Sequence, residues 1–158
     1  MKKQKGFSLI ELLIVVAIIL IIAAIAIPNL IRSKMAANEA SAVASLRTIN
    51  TGEVTYNNTY PGTGFGTLAS LGPGGATCGT PASSAACLID NLLASGTKSG
   101  YTFTVTPAGG TPSTTYASSG LPTTAGSTGT RSFCSDQNLV LFYMAAGGAC
   151  TTASGSPL

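Results

Sequence analysis

Hydrophobic and polar positions divide the chain into three textures. From Phe7 to Ile27 every residue except Ser8 and Glu11 is apolar, and Pro28 closes the run. At 1.5 Å per residue a helix over this stretch spans roughly 30 Å, the hydrocarbon thickness of a bilayer. A lone carboxylate at that depth costs roughly 2.5–3.5 kcal/mol or more. Glu11 therefore implies a partner, and the segment reads as a helix that meets other helices rather than as a simple anchor.

The second texture runs from Asn29 to about Asn58. Met35, Ala42, Leu46 and Ile49 recur at spacings of three, four and seven, and Val43 and Val54 broaden the stripe. This is one apolar face of an amphipathic helix. Arg32, Lys34, Glu39, Arg47 and Glu53 are expected mostly off that face. Pro28 removes one backbone hydrogen bond and is expected to kink the helix without ending it. One helix of about fifty residues results, and Asn57-Asn58-Thr59-Tyr60-Pro61-Gly62 stops it with turn-forming residues.

The third texture is glycine-rich and then alternating. A connection containing Gly72-Pro73-Gly74-Gly75 runs to about Gly100, with one short helical candidate over Cys87–Leu93 that docks through Leu88, Leu92 and Leu93. Tyr101, Phe103 and Val105 alternate with threonines, a strand with one apolar face. Thr114–Ser118 reads as a weaker strand and Gly120–Gly129 as a turn region. Arg131–Ser135 and Leu139–Met144 read as a hairpin around Asp136-Gln137-Asn138. The predicted architecture is α+β: a long helix packed on a small antiparallel sheet of three or four strands.

Composition sharpens this picture. The chain has 158 residues, enough for one domain with a modest core. Only 8% of residues are charged, against roughly 25% in ordinary soluble domains. There is no histidine, so Ser-His and Cys-His nucleophile pairs are excluded. Cys78, Cys87, Cys134 and Cys150 all follow the apolar helix. No CxxC pair is present, which disfavours a metal site. Lys2, Lys3 and Lys5 hold the amino end in the cytoplasm by the positive-inside rule. The cysteines then lie where disulfides persist. Four cysteines allow three pairings that sequence alone does not choose between. The local pairs Cys78–Cys87 and Cys134–Cys150 are favoured, the second closing a loop of about fifteen residues worth roughly 3 kcal/mol.

Four readings compete for the apolar segment. An ordinary secretory signal has an apolar core of about 7–15 residues and a small-residue cleavage site, and neither fits. A lipoprotein signal needs a cysteine just after the run. A plain anchor explains the length and the lysines but not Gly6-Phe7 or Glu11. The fourth reading accounts for all of these. The segment Lys5-Gly6-Phe7-Ser8-Leu9-Ile10-Glu11-Leu12-Leu13 behind its basic leader resembles the amino terminus of type IV prepilins, the class III signal peptide family. The resemblance is specific over about the first 35 residues and is one of layout beyond them.

That resemblance implies the pilin fold, with a disulfide-closed C-terminal loop. It also implies a division into a cleaved leader (1–6), a hydrophobic transmembrane and assembly half of the helix (7–28) and a globular head (29–158). A prepilin peptidase is expected to cut between Gly6 and Phe7 and to methylate the new Phe7 amine. Cleavage takes away three of the eight cationic side chains and leaves five against five acidic ones, so the basic balance is no sign of nucleic-acid binding. In the assembled fibre the Glu11 carboxylate neutralises the amine of a neighbouring Phe7, which fixes an axial offset of about four residues, because two costly charges offset each other when adjacent. Pro28 falls where many of these proteins bend.

The resemblance implies a structural subunit of a type IV pilus serving adhesion, motility or DNA uptake. Its partners are copies of itself, the bacterial inner membrane before assembly, the prepilin peptidase and the assembly machinery. It is single-pass with its amino end cytoplasmic, then extracellular in the fibre. The nearest alternative is a pseudopilin of a type II secretion system, similar around Asn58-Thr59-Tyr60-Pro61. Such proteins usually carry an acidic calcium loop where this chain has cysteines. A minor pilin acting as a binding or adhesin module is the alternative of another class. No enzyme activity and no cofactor are expected. Asp90 and Asp136 are the only acids in the head beyond the helix, too few for an acid-base dyad or calcium cage. Gly62-Thr63-Gly64-Phe65-Gly66 lacks the lysine of a phosphate loop. Arg32, Lys34, Arg47, Lys98 and Arg131 are scattered and mark no nucleic-acid site. Asn57-Asn58-Thr59 fits the N-glycosylation pattern, which is common by chance.

Overall fold

The computed structural model describes residues 7–145 and 147–158. Lys2, Lys3, Lys5 and Gly6, where a leader and its cleavage junction are expected, lie outside the described residues. The chain divides into two compact units, Met1–Lys34 and Met35–Leu158. Helix α1 (Leu9–Thr59) contributes to both and runs through Pro28. In the first unit it is the sole described element.

In the second unit α1 lies against a six-stranded antiparallel meander. The strands are β1 (Thr97–Lys98), β2 (Tyr101–Ala108), β3 (Thr115–Pro122), β4 (Ser132–Asp136), β5 (Leu141–Met144) and β6 (Ser156–Pro157), in sheet order. The register puts Phe103 opposite Gly120, Gly120 opposite Phe133 and Phe133 opposite Tyr143. Directly opposed residues share a face, so the inner face carries Tyr101, Phe103, Phe133, Leu141 and Tyr143. Ala42, Leu46, Ile49 and Tyr56 of α1 pack on the same buried cluster. The threonines of β2 take the other face and stay exposed. Leu46 is fully buried; Leu46→Ala is expected to cost the head about 3 kcal/mol, read by urea denaturation of the detergent-solubilised chain.

The predicted elements are present, with several corrections. The strand expected over Thr114–Ser118 runs from Thr115 to Pro122; its second half lacks large apolar residues at the inward Ser118 and Gly120, where the inner face is crowded. A Cβ on Gly120 would lie 3.0 Å from the Phe103 ring and 3.8 Å from Leu46. The second hairpin strand begins at Leu141 rather than Leu139, since Leu139 takes a left-handed conformation (φ 64°) in the turn. The short helix does not start at Cys87, whose φ of 59° is left-handed. It is α3 (Asn91–Ala94), N-capped by the Asp90 carboxylate on the Leu93 amide. Leu93 docks and Leu88 packs alongside, but Leu92 is exposed and buried Ile89 takes its place. A further turn, α2 (Leu68–Leu71), is held by a Thr67–Ser70 capping box. Disulfides join Cys78 to Cys87 and Cys134 to Cys150.

Candidate assembly site

The first unit presents apolar surface on every side. Seventeen large apolar side chains from Phe7 to Ile31 are 46–79% exposed. Each is worth roughly 1.5–3 kcal/mol when buried. The helix is long and apolar enough to cross a membrane.

Its start is built by two residues. Ser8 is the N-cap and Glu11 the third helical residue. The Ser8 amide donates to Glu11 Oε2 at 2.9 Å, the returning half of a capping box. The carboxylate thereby sits over the first turn, where the positive end of the helix dipole favours it. Phe7 precedes the helix and is 74% exposed. Cleavage before Phe7 would therefore place a new amine one residue from the amide that Glu11 already engages. The Ser-x-x-Glu spacing at Ser8–Glu11 is the sequence signal for this box. Pro28 lies inside α1 among exposed residues.

The head binds its part of α1 through acids expected off the apolar face. Glu39 and Glu53 are buried, at 6% and 0% exposure. They lie on one stripe with Ala42, Leu46, Ile49 and Tyr56 at alternating spacings of three and four, and that longer period is the signal that could have placed them. Glu39 Oε1 accepts from the Thr130 amide and hydroxyl and the Arg131 amide, while Arg131 Nε donates to Oε2 at 2.8 Å. Burial works to raise the Glu39 pKa, but these donors together outweigh it and hold it below the usual carboxylate value. Arg131 also lies over the Phe133 and Tyr143 rings. Asn50 continues the seam, donating to Ser135 Oγ and accepting from the Tyr116 hydroxyl.

The remaining acids serve local structure. Asp90 caps α3 and pairs with Lys98 at 2.8 Å, which holds its pKa down. Asp136 accepts from the Asn138 amide in the β4–β5 turn. Among the described residues no three of His, Cys, Asp or Glu gather as a metal site.

A long amino-terminal helix with a bare apolar half, an antiparallel sheet and a disulfide near the carboxyl end make up the pilin fold. Residues 1–27 match the family described as the prokaryotic N-terminal methylation motif. The chain is 54% identical over 46 residues to the type IV wide pilus major component PilA4 of Thermus thermophilus, covering 29% of this chain and 35% of that one. It is 44% identical over 54 residues to the type IV major pilin protein PilA of Myxococcus xanthus, covering 34% of this chain and 24% of that one. The matched part thus spans about a third or less of these relatives. No solved structure is significantly similar. By its amino-terminal segment the chain is type IV pilin-like.

Proposed function

We propose that the chain is a structural subunit of a type IV pilus. The observation that carries this reading is the exposed apolar helix from Phe7 to Ile31, begun by the Ser8–Glu11 cap, in a segment similar to type IV major pilins. So much apolar surface must be covered by lipid or by other helices. In this reading residues 1–6 are a leader removed between Gly6 and Phe7, and the Phe7 amine is methylated. Residues 7–28 wait in the inner membrane with the amino end cytoplasmic and then pack with like helices in the fibre. Residues 29–158 form the head outside. Glu11 carries the counter-charge for the Phe7 amine of a neighbouring copy, and Pro28 lets the helix adapt between membrane and fibre.

Two disulfides in the head and the similarity to major pilins favour a pilus over a type II secretion pseudopilus. Deletion of the gene is expected to abolish surface fibres while folded exoproteins are still secreted; loss of secretion with fibres intact would favour the pseudopilus. Gly6 offers the peptidase no side chain, so Gly6→Leu is expected to leave the leader attached. Recovery of processed Gly6→Leu protein on a denaturing gel would contradict that junction.

A further inference from the structure

We propose that Glu53 is a proton-dependent latch: its neutral carboxyl holds the 62–67 loop closed against α1, and ionisation releases that loop. The proposal does not depend on the pilus reading.

Glu53 sits in the middle of the head core, fully buried, on the stripe that packs the sheet. Its Oε2 accepts from the Gly66 amide at 2.9 Å. Its Oε1 is buried with no hydrogen-bond partner. Neither ion pair of the described residues includes it. The contrast with Glu39, which has four donors, is direct. A buried carboxylate with one protein donor and one oxygen lacking any is poorly placed to hold a charge, because an unpaired buried charge is costly.

The groups around Glu53 supply no compensation. Along α1 its neighbours one turn away are Ile49, Asn50, Tyr56 and Asn57, none of them cationic. From β3 comes Tyr116, whose hydroxyl donates to Asn50. Burial pushes the Tyr116 phenol up, helped by the charges of Glu53 and of Asp136 on β4. From the loop comes only the Gly66 amide. A Cβ there would lie 2.7 Å from Ser70 Oγ and 3.0 Å from the Tyr56 ring, so glycine lets this amide approach. Burial pushes Glu53 up to about 7, against the smaller pull of the Gly66 amide.

The segment that Glu53 tethers is the 62–67 loop, through the Gly66 amide. Its other ties are the Thr63 and Gly64 amides on the Tyr60 carbonyl, the Phe65 amide on the Ser113 carbonyl, the Ser113 amide on the Thr63 carbonyl, the Thr67–Ser70 capping box and the Phe65 ring against Tyr116. The same loop walls an open surface groove of about 480 Å³ with Tyr56, Ser70 and Pro107, so release reshapes that surface. Because the closed form has the raised pKa, closure is fully favoured below the ordinary value of 4.5 and is lost as pH rises through about 7.

The test is amide hydrogen exchange of the full chain in detergent micelles at about pH 5.5 and about pH 8, each corrected for intrinsic rates. Protection of the Phe65 and Gly66 amides is expected to fall by about tenfold or more in the wild type, with β3 and β4 unchanged and no fall in Glu53→Gln. Constant protection in the wild type, an equal fall in Glu53→Gln, or an equal fall across the sheet would each overturn the latch. Should Glu53→Gln not fold, the carboxyl ¹³C titration of Glu53 in the wild type decides. A midpoint near 7, tracked by the Gly66 amide, supports the latch; one near the ordinary value refutes it.

Discussion

Glu11→Ala is expected to leave cleavage intact and to lower the yield of sheared fibres by about tenfold or more, since each tenfold corresponds to only about 1.4 kcal/mol. Two contributions are lost together. One is the returning bond of the capping box, from the Ser8 amide to the Glu11 carboxylate. The other is the counter-charge for a neighbouring Phe7 amine, which in an apolar fibre core is left buried and unpaired. Glu11→Gln separates them, because its amide oxygen can still accept from Ser8 while the charge is gone. Fibre yield from Glu11→Gln is expected to fall nearly as far as from Glu11→Ala. Normal yield from Glu11→Gln would mean that capping matters and charge pairing does not.

Glu39→Ala is expected to destabilise the head by about 3 kcal/mol, toward the lower end of what breaking a buried pair costs. Arg131 is 45% exposed in its side chain and rehydrates. The Thr130 and Arg131 amides, which Glu39 satisfies, lose their acceptor, and an unmet buried donor costs about 1–3 kcal/mol. The wild-type contribution has a definite pH dependence. Glu39 titrates lower in the folded head, so its stabilisation is present above the ordinary carboxylate range and is lost as pH falls through the folded value. Urea midpoints measured between about pH 3 and about pH 7 check both points. An unchanged midpoint in Glu39→Ala would remove Glu39 from the account of how α1 is held.

Much of this was legible from residue pattern. The apolar run, the long helix and the Tyr101-Phe103-Val105 strand follow from periods of 3.6 and two. The misses have physical causes. Beside Tyr116, β3 turns Ser118 and Gly120 inward because the Phe103 ring leaves no space at Gly120, so its apolar alternation is weak. β1 and β6 are two-residue edges with no pattern to read. Glu39 and Glu53 read as lying off the apolar face because charged side chains usually face water. Their burial depends on donors from the 128–131 and 62–66 segments, which are distant in sequence. At the amino end the sequence marks Glu11 and, through the Ser-x-x-Glu spacing, its local partner Ser8 as well.

The most direct measurement is the intact mass of this protein in fibres sheared from cells, beside that in the membrane fraction. The account predicts a fibre species without residues 1–6, carrying one added methyl and four oxidised cysteines. An uncut chain, or a processed chain confined to the membrane fraction, would contradict it.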